Sequence, residues 1–91
     1  MTQLDALDKI HPDLISAFLT TGKCDGIPAE VQVFLKQLQW AAEIYEYERN
    51  ITRAAKQLRQ RINAQQHINV DERTCKARIY AAINYFNICL L

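Results

Sequence analysis

Glycine and proline are scarce in this chain. It has two of each, and all four lie between Pro12 and Pro28. Two glycines cannot build the glycine-rich loop that cradles phosphates in nucleotide-binding enzymes. Residues 29–91 are free of strong helix breakers, so an all-helical fold is expected. Cysteine is sparse as well: Cys24, Cys75 and Cys89 are odd in number and none pairs in a C-x-x-C spacing, which argues against a disulfide framework and against a zinc site. Cys75 is expected to serve as a small core residue. No uninterrupted apolar run approaches the ~18 residues that a membrane span needs. The first ten residues, MTQLDALDKI, have neither a basic n-region nor an apolar h-region. No membrane association is therefore expected, and a cytoplasmic location is. Asn50-Ile51-Thr52 matches a glycosylation acceptor, but without a secretory signal the match is coincidental.

Catalytic groupings are also missing. His11 and His67 lie far apart, each without a cysteine at ligand spacing. They read as a helix-start residue and an exposed turn residue. Glu43 and Glu46 stand three apart on a helix beside Glu48, which reads as a solvated acidic face. At 91 residues the chain can build one domain with one modest core. An enzyme is not expected, and neither is a cofactor or a metal.

What the sequence does have is segregated charge. Between Arg49 and Arg78 lie eight basic residues (Arg49, Arg53, Lys56, Arg59, Arg61, Arg73, Lys76, Arg78) against Asp71 and Glu72, a net of +6. Residues 1–48 hold three lysines against eight acids, a net of −5. The overall +1 conceals this polarity, and a basic segment of helical sequence is the footprint of a phosphate-binding surface. The competing reading is a solvated face whose arginines pair with the acidic half.

The coarse organisation is an acidic helical scaffold over residues 1–48 and a basic helical pair over 49–91, packed together as one domain. His11-Pro12-Asp13 starts a helix, because proline suits the first helical position and a carboxylate there meets the positive end of the dipole. Leu14, Ile15, Phe18 and Leu19 give it an apolar stripe, and Thr20-Thr21-Gly22 ends it. Leu4, Leu7 and Ile10 suggest a short helix before it. After a loop, Pro28 opens a long helix with Val31, Phe34, Leu35, Leu38, Ala41, Ala42 and Tyr45 on one face. Val33, Trp40, Ile44 and Tyr47 cluster on the other. A helix apolar on two sides needs two partners, so this second cluster is a candidate interface with another chain.

At Glu48-Arg49-Asn50-Ile51 the sequence allows either a new helix capped by Asn50 or one long helix to Ile62. With a new helix, Ile51, Ala54, Ala55, Leu58 and Ile62 point inward, and Arg53, Lys56 and Gln60 outward. His67-Ile68-Asn69-Val70 is the expected connection, with Asn69 taking a positive φ and Asp71 capping the final helix. In that helix Cys75, Ile79, Ala82, Ile83 and Phe86 lie inward, with Arg78 near the buried side as a candidate for an internal ion pair. Arg73, Thr74, Lys76, Ala77 and Tyr80 face out. These are the side chains a recognition helix needs: cations for guanine edges, and a methyl or small residue for thymine. Arg49, Arg53, Lys56 and Tyr80 would hold phosphates, which orient the protein without reading sequence. The expected architecture is a small bundle of four to five helices containing a helix-turn-helix.

Val70-Asp71-Glu72-Arg73-Thr74-Cys75, followed by Ile79, Ala82-Ile83 and Tyr85-Phe86, resembles the helix-turn-helix of the DNA-binding domain of phage terminase small subunits. The resemblance covers less than half of the chain. It implies a packaging protein that binds double-stranded DNA through Arg73, Thr74, Lys76 and Ala77, forms a homo-oligomer and hands the DNA to the terminase large subunit. The sequence departs from that family in two ways: the connection lacks a glycine, and it stops at Asn87-Ile88-Cys89-Leu90-Leu91 where the family continues into an oligomerisation region. A domain excerpt or a relative that assembles differently is expected. The alternatives are a helix-turn-helix transcriptional regulator and a helical protein-interaction or assembly module, the latter suggested by Trp40 and the apolar C-terminus.

Overall fold

A computed structural model describes Leu7 and residues 9–86. Among the described residues there are four helices and no strand: α1 (Pro12–Thr21), α2 (Ala29–Glu48), α3 (Ile51–Gln66) and α4 (Glu72–Phe86). None is long and apolar enough to cross a membrane. Of the short helix expected first, Leu7 is helical and buried and Ile10 lies in a bend. Leu4, and the apolar end from Asn87 to Leu91 with Cys89, lie outside the described residues.

The chain divides into two compact units, one up to Lys36 and one from Gln37 onward. The change in charge falls at Glu48, later than this division. Surface charge and packing need not share a boundary: Leu38, Ala41 and Tyr45, all buried, lie in the Gln37–Glu48 portion of α2 and belong to the second unit's core.

In the first unit, α1 begins at Pro12. His11 Nδ1 accepts the Asp13 amide at 3.1 Å, so this histidine caps the helix. Gly22, at φ 79°, ends α1 in the left-handed conformation, its amide bonded to the Phe18 carbonyl. Ile15 and Phe18 form the buried stripe. Gly26 is favoured by its φ of 78°, and a Cβ there would lie 3.1 Å from Leu14 Cδ1, so the leucine end would have to give way. The Pro28 carbonyl accepts the Val31 and Gln32 amides and launches α2. Ile27, Val31, Phe34 and Leu35 are buried as well.

In the second unit the helix break at Arg49–Asn50 resolves the alternative left open by the sequence. Asn50 is extended (φ −132°) and its side chain accepts the Arg53 amide at 2.9 Å, one of the donors that a helix start leaves unpaired. Arg49, at φ 57°, is left-handed, and its amide closes α2 on the Tyr45 carbonyl. Both α3 and α4 then bury a stripe at helical spacing. In α3 it is Ala54, Ala55, Leu58 and Ile62; in α4 it is Cys75, Ile79, Ala82 and Ile83. The two helices pack on each other. The expected inward residues at the helix ends, Ile51 and Phe86, are only half-buried, and Phe86 makes an edge-to-face contact with Tyr85 at 5.1 Å.

The left-handed turn residue differs from expectation. It is His67 (φ 56°), not Asn69, because α3 runs on to Gln66 and the residue just past a helix takes that conformation, here with the His67 amide on the Asn63 carbonyl. That conformation costs an L-residue about 1–2 kcal/mol and glycine very little. Glycine loses more freedom on folding, so His67→Gly is expected to gain about 0.5–1 kcal/mol. His67→Val should lower stability, and thermal unfolding of the two variants should move in opposite directions.

Candidate nucleic-acid interface

The surface that gathers the basic residues is built on α3, the connection and the first turns of α4. Its geometry is set by the cap of α4. Asp71 Oδ1 accepts the Thr74 amide at 2.7 Å. Bonds from the Thr74 hydroxyl and amide hold the Asp71 carboxyl below the ordinary carboxylate range, and Arg73 and Arg59 add to the effect. Arg59 on α3 and Arg73 on α4 therefore both lie within electrostatic reach of one carboxylate. Cys75 reports the same neighbourhood: burial pushes its thiol up, while Arg59 and Arg78 oppose the shift. It is a core residue without a disulfide.

A shallow groove of about 490 Å³ opens at this place, lined by Lys56, Arg59, Gln60, Asn63, Asn69 and Glu72. The first four recur at i, i+3, i+4 and i+7, one face of α3. Among the described residues Lys56, Arg59, Arg73 and Lys76 form no ion pair. On α4, Arg73, Ala77 and Tyr80 are exposed along one stripe, with Lys76 half-buried beside it. Thr74 is half-buried and bonded to Asp71, so part of its hydrogen-bonding capacity goes to the cap.

Other expected site residues have partners within the chain. Arg49 Nε donates to the Glu46 carbonyl at 3.2 Å, at the end of α2. Arg53 lies 3.7 Å from Glu48, which also accepts from Gln57 at 2.7 Å, and Arg61 lies 3.8 Å from Glu43. The arginine pairing weighed against a phosphate-binding surface thus holds for Arg53 and Arg61 on one flank of α3. Arg78 is bonded to a carboxamide. Its Nε donates to Gln37 Oε1 at 3.0 Å, and Gln37 Nε2 donates to Gln66 Oε1 at the same distance. Gln37 is 5% exposed and burial lowers the pKa of Arg78, as expected for a cation leaving water.

The four residues assigned to an interface separate. Tyr47 is 88% exposed and Val33 is exposed, Trp40 is half-buried, and Ile44 at 6% is buried within the chain itself. Ile44 therefore offers little surface to another chain. Sequence reasoning passed over Arg59, Gln60, Asn63 and Asn69 as site residues. Their helical spacing was readable, but the groove depends on how the connection and Glu72 close it. Among the described residues no group of three His, Cys, Asp or Glu side chains is placed to hold a metal.

Comparison with known proteins finds no matching family model, no matching curated protein and no matching solved structure.

Proposed function

We propose that the chain is a non-enzymatic DNA-binding protein in which α3 and α4 act as a helix-turn-helix and α4 is the recognition helix. The observation that supports this most is the convergence at the start of α4. Arg59 and Arg73 act on the same carboxylate from two helices, Lys76, outside any ion pair among the described residues, stands beside the exposed Arg73–Ala77–Tyr80 stripe, and Lys56, likewise outside any, lines the groove that Glu72 of α4 shares. A small, cationic helical edge of this kind suits the major groove, where arginine pairs with guanine and alanine can meet the thymine methyl. The acidic residues of α2, Glu43 and Glu48, neutralise arginines on the other flank and leave the cationic surface one-sided.

The resemblance to phage terminase small subunits gives this reading its particular form: recognition of packaging-initiation DNA in the cytoplasm of an infected cell, with the terminase large subunit as a protein partner. Regulation of transcription uses the same surface, and duplex binding does not separate the two. The test of the recognition helix is fluorescence anisotropy with duplex DNA on the parent chain and on Arg73→Ala with Lys76→Ala. Losing two charge-assisted contacts should weaken binding by about 30-fold or more. Equal affinities would remove α4 from the interface.

A second reading, assembly into a homo-oligomer, rests on Tyr47, a large aromatic left 88% exposed. It is compatible with the first. Sedimentation mass across a concentration series tests it, and a constant monomer mass would count against it.

A further inference from the structure

We infer that the groove lined by Lys56, Arg59, Gln60, Asn63, Asn69 and Glu72 is a binding site for one phosphate group, and that its occupant is a backbone phosphate of duplex DNA. The choice of occupant rests on the DNA-binding reading; the phosphate chemistry does not. The α3 wall carries two cations and two carboxamides, and the connection adds the carboxamide of Asn69. Lys56 and Arg59 form no ion pair with a described residue. The Asp71 carboxylate is within electrostatic reach of Arg59 but not paired with it, and a phosphate would give both cations a close partner, since guanidinium–phosphate pairs are two-pronged and lysine adds a point charge. The amide N–H groups of Gln60, Asn63 and Asn69 are neutral donors suited to the remaining oxygens.

The groove is open rather than enclosed, so a phosphodiester that is part of a long backbone can enter without being engulfed. Glu72 gives the site a direction. It is the acid among the described lining residues and stands on the α4 side, so an anion is held against α3 and away from α4. With the duplex backbone seated there, the exposed stripe of α4 lies next to the anchored strand. The groove then sets register, and base-edge reading falls to Arg73 and Ala77.

Three substitutions separate this site from the recognition helix: Arg59→Gln and Lys56→Gln in the groove, and Glu72→Gln on its far wall. Circular dichroism and the unfolding midpoint of each variant establish that it is folded. Arg59→Gln should weaken duplex binding about tenfold and equally on all sequences, and should make the log–log salt slope shallower by about 1. Lys56→Gln should act the same way, and Glu72→Gln should tighten binding.

An arm without DNA keeps the site's failure distinct from failure of the DNA reading. Inorganic phosphate titrated into the 15N-labelled full chain should shift the Asn63 and Asn69 side-chain amides and the Arg59 Nε signal, and Arg59→Gln should abolish those shifts. Phosphate shifts with no duplex binding would overturn the DNA occupant and keep the anion site. Duplex binding that is unchanged in Arg59→Gln and Lys56→Gln would overturn the groove and keep the recognition helix. No phosphate shift at any groove residue would overturn the site itself.

Discussion

Leu58→Ala should cost about 2–5 kcal/mol, the largest loss expected from any single truncation on α3. Leu58 has no exposed surface, and neither do Ala54, Ala55 and Ile62 on its own helix or Cys75, Ile79 and Ala82 on α4. The small residues let α3 and α4 approach closely, and Leu58 and Ile79 are among the largest side chains sealed there. Removing most of one of them leaves a cavity that this alanine-rich contact is too short of movable side chains to refill. For a small domain, whose total stability is on the order of 5 kcal/mol, such a loss removes much of the folded population at physiological temperature. Leu58→Met, which keeps the volume, should cost less than about 1.5 kcal/mol. Denaturant unfolding separates the two. Similar midpoints for both variants would mean that α3 and α4 are not held by this core.

The second large effect is expected at Gln37, and it is polar. One buried carboxamide links three helices, with its nitrogen bonded to Gln66 on α3 and its oxygen accepting from Arg78 on α4. Gln37→Leu fills a similar volume but removes both bonds, one of them to a half-buried cation, and should cost about 1–3 kcal/mol. Arg78→Met alone should cost a comparable amount. Together the two changes should cost less than their sum, because the double variant no longer buries a cation deprived of its Gln37 acceptor. A double-mutant cycle measured by denaturant unfolding reads the coupling directly. Additive losses would mean that the link between Gln37 and Arg78 is energetically idle.

These two residues also show how far the sequence could be read. Leu58, Ile62, Cys75, Ile79, Ala82 and Ile83 were legible because burial on a helix repeats with the helical period, and the caps at Asn50 and Asp71 were legible because few residue types can bond a free helix N-terminus. Gln37 was not. Its chemistry is that of a surface residue, and its partners are 29 and 41 positions away in sequence. Residue preference points to Asn69 for the positive φ, yet it belongs to His67, because where α3 stops decides the matter. Arg49 counts as a cation in any charge tally, but its side chain is occupied at the end of α2. Arg53 and Arg61 are likewise turned toward Glu48 and Glu43. Charge counting finds the basic segment, and only geometry separates the arginines with a close partner in the chain from Lys56, Arg59, Arg73 and Lys76, which form no ion pair among the described residues.

If those residues neutralise phosphates, the ionic strength dependence of duplex binding must show it, because each neutralised phosphate releases about 0.9 of a counterion. The decisive measurement is the affinity of the full chain for duplex DNA by fluorescence anisotropy across a series of salt concentrations. A straight log–log plot with a slope of about −3 to −4 is expected for three or four phosphate contacts. Binding that is absent at low salt, or that does not respond to salt, would contradict the assignment of α3 and α4 to DNA.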